Sequence, residues 1–247
     1  MVSAADEEDW KKYGKKYIFN QFPFESCVVS KHNLANTIQS VLGDTPFLMR
    51  TYNLETELPA FIGDYQHRQR EGEENLWILK PPNMARSMDM IITDNLSVII
   101  RAMETGPKLI QKYIERPILR RGMKLDFRIM LLVKSVVPLT LYLYKHFWIR
   151  SANVPYTTDR RTLSIYETQF TVMNYGNVTD FKQIPYQEFI DEFENDYKSV
   201  KWATIHEKIK KMLRNTFIAA AHKHPEMQSD MSRALYGVDV MVEASTM

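Results

Sequence analysis

Lys124, Asp126 and Arg128 occupy alternate positions of the run Lys-Leu-Asp-Phe-Arg, and Leu125, Phe127, Ile129 and Leu131 fill the positions between and after them. Successive side chains of a strand point to opposite faces, so three charges would line one face and four apolar groups the other. Burying three charges is costly unless a charged ligand or partner meets them. The spacing therefore predicts a phosphate-and-carboxylate site built on a sheet. A solvated outer face of a half-exposed sheet is the alternative these residues leave open.

The wider charge pattern agrees with an anionic partner. The net charge is only +2, yet residues 101–161 hold 13 Lys and Arg against 4 Asp and Glu. Such a block points to a nucleotide, a nucleic acid or an acidic polypeptide. Tyr142, Tyr144, His146, Phe147, Trp148 and Arg150 interleave aromatic with basic groups and could stack bases. Alternation on a long strand equally describes a core on one side and a pocket wall on the other, and nucleic acid is the weaker expectation.

Several chemistries find no support. The chain contains neither G-x-x-x-x-G-K-[ST] nor G-x-G-x-x-G, no zinc-like Cys/His spacing and no nucleophile-elbow serine. His222 and His224 fall at a helix end, where cations suit the dipole. The single cysteine, Cys27, excludes an intramolecular disulfide framework and fits a reducing compartment. No basic leader with an apolar core opens the chain. The apolar stretch 125–144 is broken by Asp126, Arg128, Lys134 and Pro138, so it reads as sheet and not as a membrane span.

The elements that must carry these residues can be read from periodicity. Residues 1–17 form a polar, flexible segment with acidic and basic runs. Helical spacing covers 31–42, and polar 63–75 reads as a loop or helix end before a strand at 76–80. A short strand at 90–93 leads into a helix with Leu96, Ile99, Ile100 and Met103 on one stripe. Residues 108–114 form a strand, Arg116 to Gly122 a basic turn, and 124–136 and 138–151 two long strands. Helices near 186–198 and 203–222 and a strand at 234–242 follow, the second helix with Ile205, Ile209, Met212 or Leu213, and Phe217 as its stripe. The fold class is α+β. The divisions expected are 18–75, a central part at 76–122 and a C-terminal part at 123–247.

A set of short segments, in order, resembles the tubulin–tyrosine ligase family. They are Asn20-Gln-Phe-Pro23, Thr51-Tyr-Asn-Leu54, Trp77-Ile-Leu-Lys-Pro81, Gln111-Lys-Tyr-Ile114, Lys124-x-Asp126-x-Arg128, Arg150, Thr171-Val-Met-Asn174 and Gly237-Val-Asp239. The resemblance implies an ATP-grasp-like fold: two mixed or antiparallel sheets with flanking helices around a nucleotide cleft. It implies ATP and Mg²⁺ as cofactors. A carboxylate of an acceptor, usually the acidic tail of tubulin, would be phosphorylated, and an amino acid's amine would then displace the phosphate.

The same resemblance assigns roles. Lys80 would hold the α- and β-phosphates, with Lys112 as a second nucleotide lysine, and Gln111, Lys112, Tyr113 and Ile114 would form the adenine edge. Lys124, Arg128 and Arg150 would gather the γ-phosphate and the acceptor carboxylate, with Asp126 orienting Arg128 or assisting the metal. Thr171 and Asn174 would lie near the nucleotide or the amino acid, and Asp239 would bind Mg²⁺.

Two departures shape the functional expectation. The family's phosphate loop is Gly-rich, whereas residues 81–90 contain no glycine; Pro82 removes a donor, Asp89 adds a negative charge, and Arg86 is left to reach a γ-phosphate. The family also has a further strand with a Glu and an Asn completing the metal site, which is not found before Met247. The reading is a catalytically impaired ligase-like module that binds nucleotide, tubulin or another acidic-tailed protein and regulates tail modification. An active ATP-dependent amino-acid ligase is the first alternative, and a basic nucleic-acid-binding module the second. The expected location is the cytoplasm, with the nucleus or microtubules as further sites.

Overall fold

A computed structural model of the chain describes residues 18–82, 89–171 and 184–247. These divide into two compact units. One comprises residues up to Gly43 with Phe127–Ile149 and Lys182–Val240; the other comprises Asp44–Asp126, Arg150–Phe181 and Met241–Met247.

The second of these units is built on a four-stranded antiparallel sheet in the order β1-β4-β2-β3, from β1 (Thr51–Asn53), β2 (Trp77–Lys80), β3 (Ile91–Thr93) and β4 (Leu109–Lys112). Alternation along β2 and β4 divides their side chains between two faces. Trp77, Leu79 and Ile110 pack with Leu54, Phe61, Tyr65 and Ile99 on one face. Ile78 joins Leu76, Ile92, Tyr113 and Leu163 in a second apolar cluster.

The segment expected as loop or helix end at 63–75 is instead the body of a helix, Leu58–Glu71. Pro59 sits in its first turn, Phe61 and Tyr65 bury four residues apart, and Gly72 closes it at φ +67° in the left-handed region. Two rings on an otherwise polar helix make a narrow stripe, which polar composition conceals. The later helix Leu96–Ala102 starts where the Asn95 side chain accepts from the Ser97 and Val98 amides at 2.9 and 3.3 Å. Ile99 is its buried stripe residue, while Ile100 is exposed.

Within the basic turn lies a short strand, β5 (Leu119–Arg120), paired with the start of β6 (Met123–Val136). Arg121 and Gly122 have φ of +52° and +79°, the two left-handed positions of a tight hairpin turn, where glycine avoids steric strain.

In the other unit, β6 from Phe127 pairs antiparallel with β8 (Ala234–Val240), in a register that runs from Phe127↔Val240 to Val133↔Ala234. After a turn at Val137 and Pro138 the chain continues as β7 (Leu139–Ser151). Leu125, Phe127, Ile129 and Leu131 are all buried, as the alternation predicts. Phe127 lies 5.2 Å from Phe189 and 5.0 Å from Trp202, centroid to centroid, and Phe147 lies 5.1 Å from Trp202. The long helix Trp202–Lys223 buries Ile205, Ile209, Leu213 and Phe217 at intervals of four, with Leu213 rather than Met212 inward. Among the described residues no helix is long and apolar enough to cross a membrane.

Removing the ring that joins strand to helices tests this packing. Phe127→Ala should lower unfolding free energy by about 3–5 kcal/mol, read as a drop in urea midpoint with far-UV circular dichroism retained; a change below about 1 kcal/mol contradicts the aromatic core.

Candidate functional site

The sheet of the second unit presents Lys80 and Gln111 on the face that also carries Ile78 and Leu109, because Ile78↔Gln111 and Lys80↔Leu109 are register pairs. Lys80 Nζ donates to Gln111 Oε1 at 2.6 Å, and Gln111 Nε2 donates to Thr51 Oγ1 at 2.8 Å. Lys112 is different. It pairs with Trp77 and so belongs to the opposite face from Lys80. Its buried ammonium donates to the Leu76 carbonyl at 3.2 Å and is ion-paired with Glu115. Lys80 and Lys112 therefore do not point to one side of the sheet.

Lys124 and Asp126 are both buried, which rules out the solvated-face alternative for this part of β6. Lys124 Nζ donates to the Tyr113 hydroxyl at 2.6 Å and lies 4.4 Å from the centroid of the Tyr113 ring and 5.7 Å from that of Tyr156. Burial chiefly, then the like charge of Lys80, pulls the Lys124 ammonium down to about 7, against the opposing pull of Asp126. The Tyr113 hydroxyl donates to Gln169 Oε1 at 2.7 Å, and Gln169 Nε2 donates to the Thr157 carbonyl at 2.7 Å. Burial, and then the neighbouring Tyr156, hold the Tyr113 hydroxyl far above its ordinary range.

Asp126 accepts from Arg150 Nε at 2.6 Å through one oxygen and from the Thr171 hydroxyl through the other. Asp126 thus braces Arg150 and Thr171, a charge-assisted network that sets the position of both. Tyr156 reaches the end of β4: its hydroxyl donates to the Glu115 carbonyl at 2.9 Å, with the Ile114 carbonyl at 3.4 Å. Burial raises it to about 12. Gln169, Tyr156 and Glu115 were not among the residues expected from sequence. Two of them lie in connecting segments and all three act through tertiary contact, so no spacing announces them.

In the first-described unit, Arg128 and Asp239 are directly opposite on β6 and β8. Arg128 Nε donates to Asp239 Oδ1 and Nη2 donates to Oδ2 at 3.0 Å, a two-pronged ion pair. Gly237 makes room for it: a Cβ there would stand 3.2 Å from the Arg128 side chain. Arg86 and Asn174 lie outside the described residues.

The family described as "Tubulin-tyrosine ligase family" matches residues 11–247. The chain belongs to the tubulin–tyrosine ligase family. It is 42% identical to the mouse tubulin–tyrosine ligase-like protein 12 over 235 residues, covering 91% of this chain and 36% of the relative. Against the human protein of the same name it is 39% identical over 98% of the chain and 39% of the relative. The Drosophila melanogaster tubulin glycylase 3A is 28% identical over 49% of the chain. The chain thus spans little more than a third of the length of the first two relatives. As a member of this family it has the α+β build expected from sequence, with two antiparallel sheets and helices.

The family's cofactors can be tried against these side chains. A phosphate would be met by two cations of the second unit: Lys80, on the sheet face that also carries Ile78, and Lys124, held on the Tyr113 hydroxyl and sensitive to the charge of Lys80. A magnesium pair does not fit this arrangement. Asp239 has both oxygens on Arg128, and among the described residues no three Asp, Glu, His or Cys side chains cluster to hold an ion.

The buried ammonium has a stability signature. The folded pKa of about 7 lies below the unfolded value, so the unfolded chain binds more protons between the two and stability rises with pH there. Lys124→Met should be favoured over the native chain most strongly at pH 7, with its advantage shrinking steadily toward pH 10 in chemical unfolding. A pH-independent difference contradicts the depressed lysine.

Proposed function

We propose that the chain is a ligase-type ATP-grasp module that binds nucleotide and an acidic polypeptide, with tubulin as the favoured partner, and catalyses ligation poorly. Its role on this reading is to regulate modification of tubulin tails in the cytoplasm or at microtubules. The relatives whose names specify tubulin glycylation and polyglutamylation support that partner class. The cationic groups of unit two support the nucleotide.

The observation that carries the reading is the ion pair between Arg128 and Asp239, which unites the arginine expected on phosphate with the carboxylate expected on metal. The pair engages both oxygens of Asp239, and bridging metal sites normally use more than one carboxylate. Binding is thereby favoured over turnover. The lack of glycine in residues 81–90 points the same way, since backbone N–H cradles for phosphate favour residues without side chains.

A second reading, an active ligase, is favoured by one observation. Lys124, drawn down to about 7, would as the free amine take a proton from the incoming amino acid's ammonium, leaving its amine to attack.

Incubation with ATP, Mg²⁺, free amino acids and acidic tubulin-tail peptides separates the two. The impaired module should show a thermal shift with ATP, diminished in Lys80→Ala, but no ADP release and no mass gain on the peptide. Turnover that disappears in Lys80→Ala would establish the active ligase instead. Absence of any shift with ATP would remove nucleotide from the proposal.

A further inference from the structure

Tyr156 is placed where a ligand would be expected. Its ring packs against the cluster of Leu76, Ile78, Ile92, Tyr113 and Leu163, on the same face of the sheet as Lys80. Its hydroxyl donates to the carbonyl of Glu115 at 2.9 Å, just past the end of β4, with the Ile114 carbonyl 3.4 Å away. A planar ring in an apolar slot, donating a hydrogen bond to a strand-end carbonyl, has the shape and polarity with which a sheet receives a purine bearing an exocyclic amine. Lys124 completes the likeness, since its ammonium lies over the rings of both Tyr113 and Tyr156.

The segment bearing Tyr156 is itself anchored. The Tyr156 amide donates to the Gly122 carbonyl at 2.9 Å, and Gln169 holds the following residue through the Thr157 carbonyl. Two hydrogen bonds flanking the ring keep it in the slot without help from a ligand. Tyr113 beneath it is fixed by Lys124 and Gln169, so the floor of the slot is rigid while its lid is a single side chain.

We infer that Tyr156 is an internal competitor for the base of the nucleotide: it fills the slot beside β4 and takes the Glu115 and Ile114 carbonyls that an adenine amine would use. The inference rests on the nucleotide reading given above. It names the residue that sets affinity at that site, and a bound adenine requires Tyr156 to swing out. Inorganic triphosphate has no base to place in the slot, so it should not sense loss of the Tyr156 hydroxyl while the ring stays beneath Lys124.

The test compares the intact chain with Tyr156→Phe and Tyr156→Ala, by calorimetric titration with ATP, adenosine and inorganic triphosphate. Tyr156→Phe keeps the ring and frees the carbonyls, so ATP and adenosine should bind at least about fivefold more tightly, the worth of one net hydrogen bond. Tyr156→Ala opens the slot and should gain more for adenosine, while triphosphate affinity should be unchanged in Tyr156→Phe, which keeps the ring beneath Lys124. Combining either variant with Lys80→Ala should weaken ATP while preserving the gain for adenosine. Equal affinities in all three chains would overturn the competitor while leaving nucleotide binding intact. Weaker ATP binding in Tyr156→Ala would also overturn it, making the ring a wall on which the base stacks. No binding of any ligand to any chain would defeat the nucleotide reading itself, and the inference with it. Tyr156→Phe, which changes one atom, decides the matter if Tyr156→Ala does not fold, as judged by circular dichroism.

Discussion

The ammonium of Lys124, buried on β6, is the constraint around which the second unit is organised. An isolated charge in such a place is costly, and the protein offsets that cost in three ways. The Tyr113 hydroxyl accepts from it, two aromatic faces lie beneath it, and Asp126 supplies an opposing charge nearby. The compensation is incomplete, since Asp126 also serves Arg150 and Thr171 while Lys80 repels the same ammonium. An anion beside Lys80 and Lys124, as proposed for the nucleotide, would stabilise that ammonium further.

Their partners distinguish residues that look equivalent by type. Lys80 and Lys124 act on one another, whereas Lys112 is ion-paired with Glu115 three residues along the chain and donates to the Leu76 carbonyl. Arg150 is held by Asp126, and Arg128 by Asp239 in the other unit. Each guanidinium meets a carboxylate through directed hydrogen bonds, which pre-positions it but also occupies it. Lys124, Tyr113, Gln169 and the Thr157 carbonyl are linked by successive hydrogen bonds, and buried networks of this kind help to specify one arrangement of their surroundings. Tyr156 adjoins that network from a connecting segment.

Much of this was legible in the sequence where period and function coincide. Alternation around Lys124 placed four apolar residues inside, and spacing of four along 205–217 marked the buried stripe of the long helix. The helix Leu58–Glu71 was hidden because only Phe61 and Tyr65 bury from it, and the strand Thr51–Asn53 because three residues carry no period. The β5 strand is shorter still, and lies inside what composition describes only as a basic turn. For the candidate site, alternation singled out Lys124 and Asp126 and the family resemblance added Lys80 and Arg150, but which groups they contact did not follow. Whether Lys112 faces Lys80 depends on the pairing of β2 with β4, which a single strand cannot state. Gln169 and Tyr156 act across 56 and 41 residues of chain, on Tyr113 and Glu115 respectively, and tertiary contacts of that length leave no local pattern.

The central proposal is that Lys80 and Lys124 together receive the phosphates of a nucleotide. Proton uptake on ATP binding measures this directly, through titration calorimetry at pH 8 in buffers of differing ionisation enthalpy. With the amine at about 7 before binding and raised by the adjacent phosphates, the chain should take up a substantial fraction of one proton per ATP, and Lys124→Met should take up none. Tight ATP binding with no proton uptake in the native chain would contradict the account.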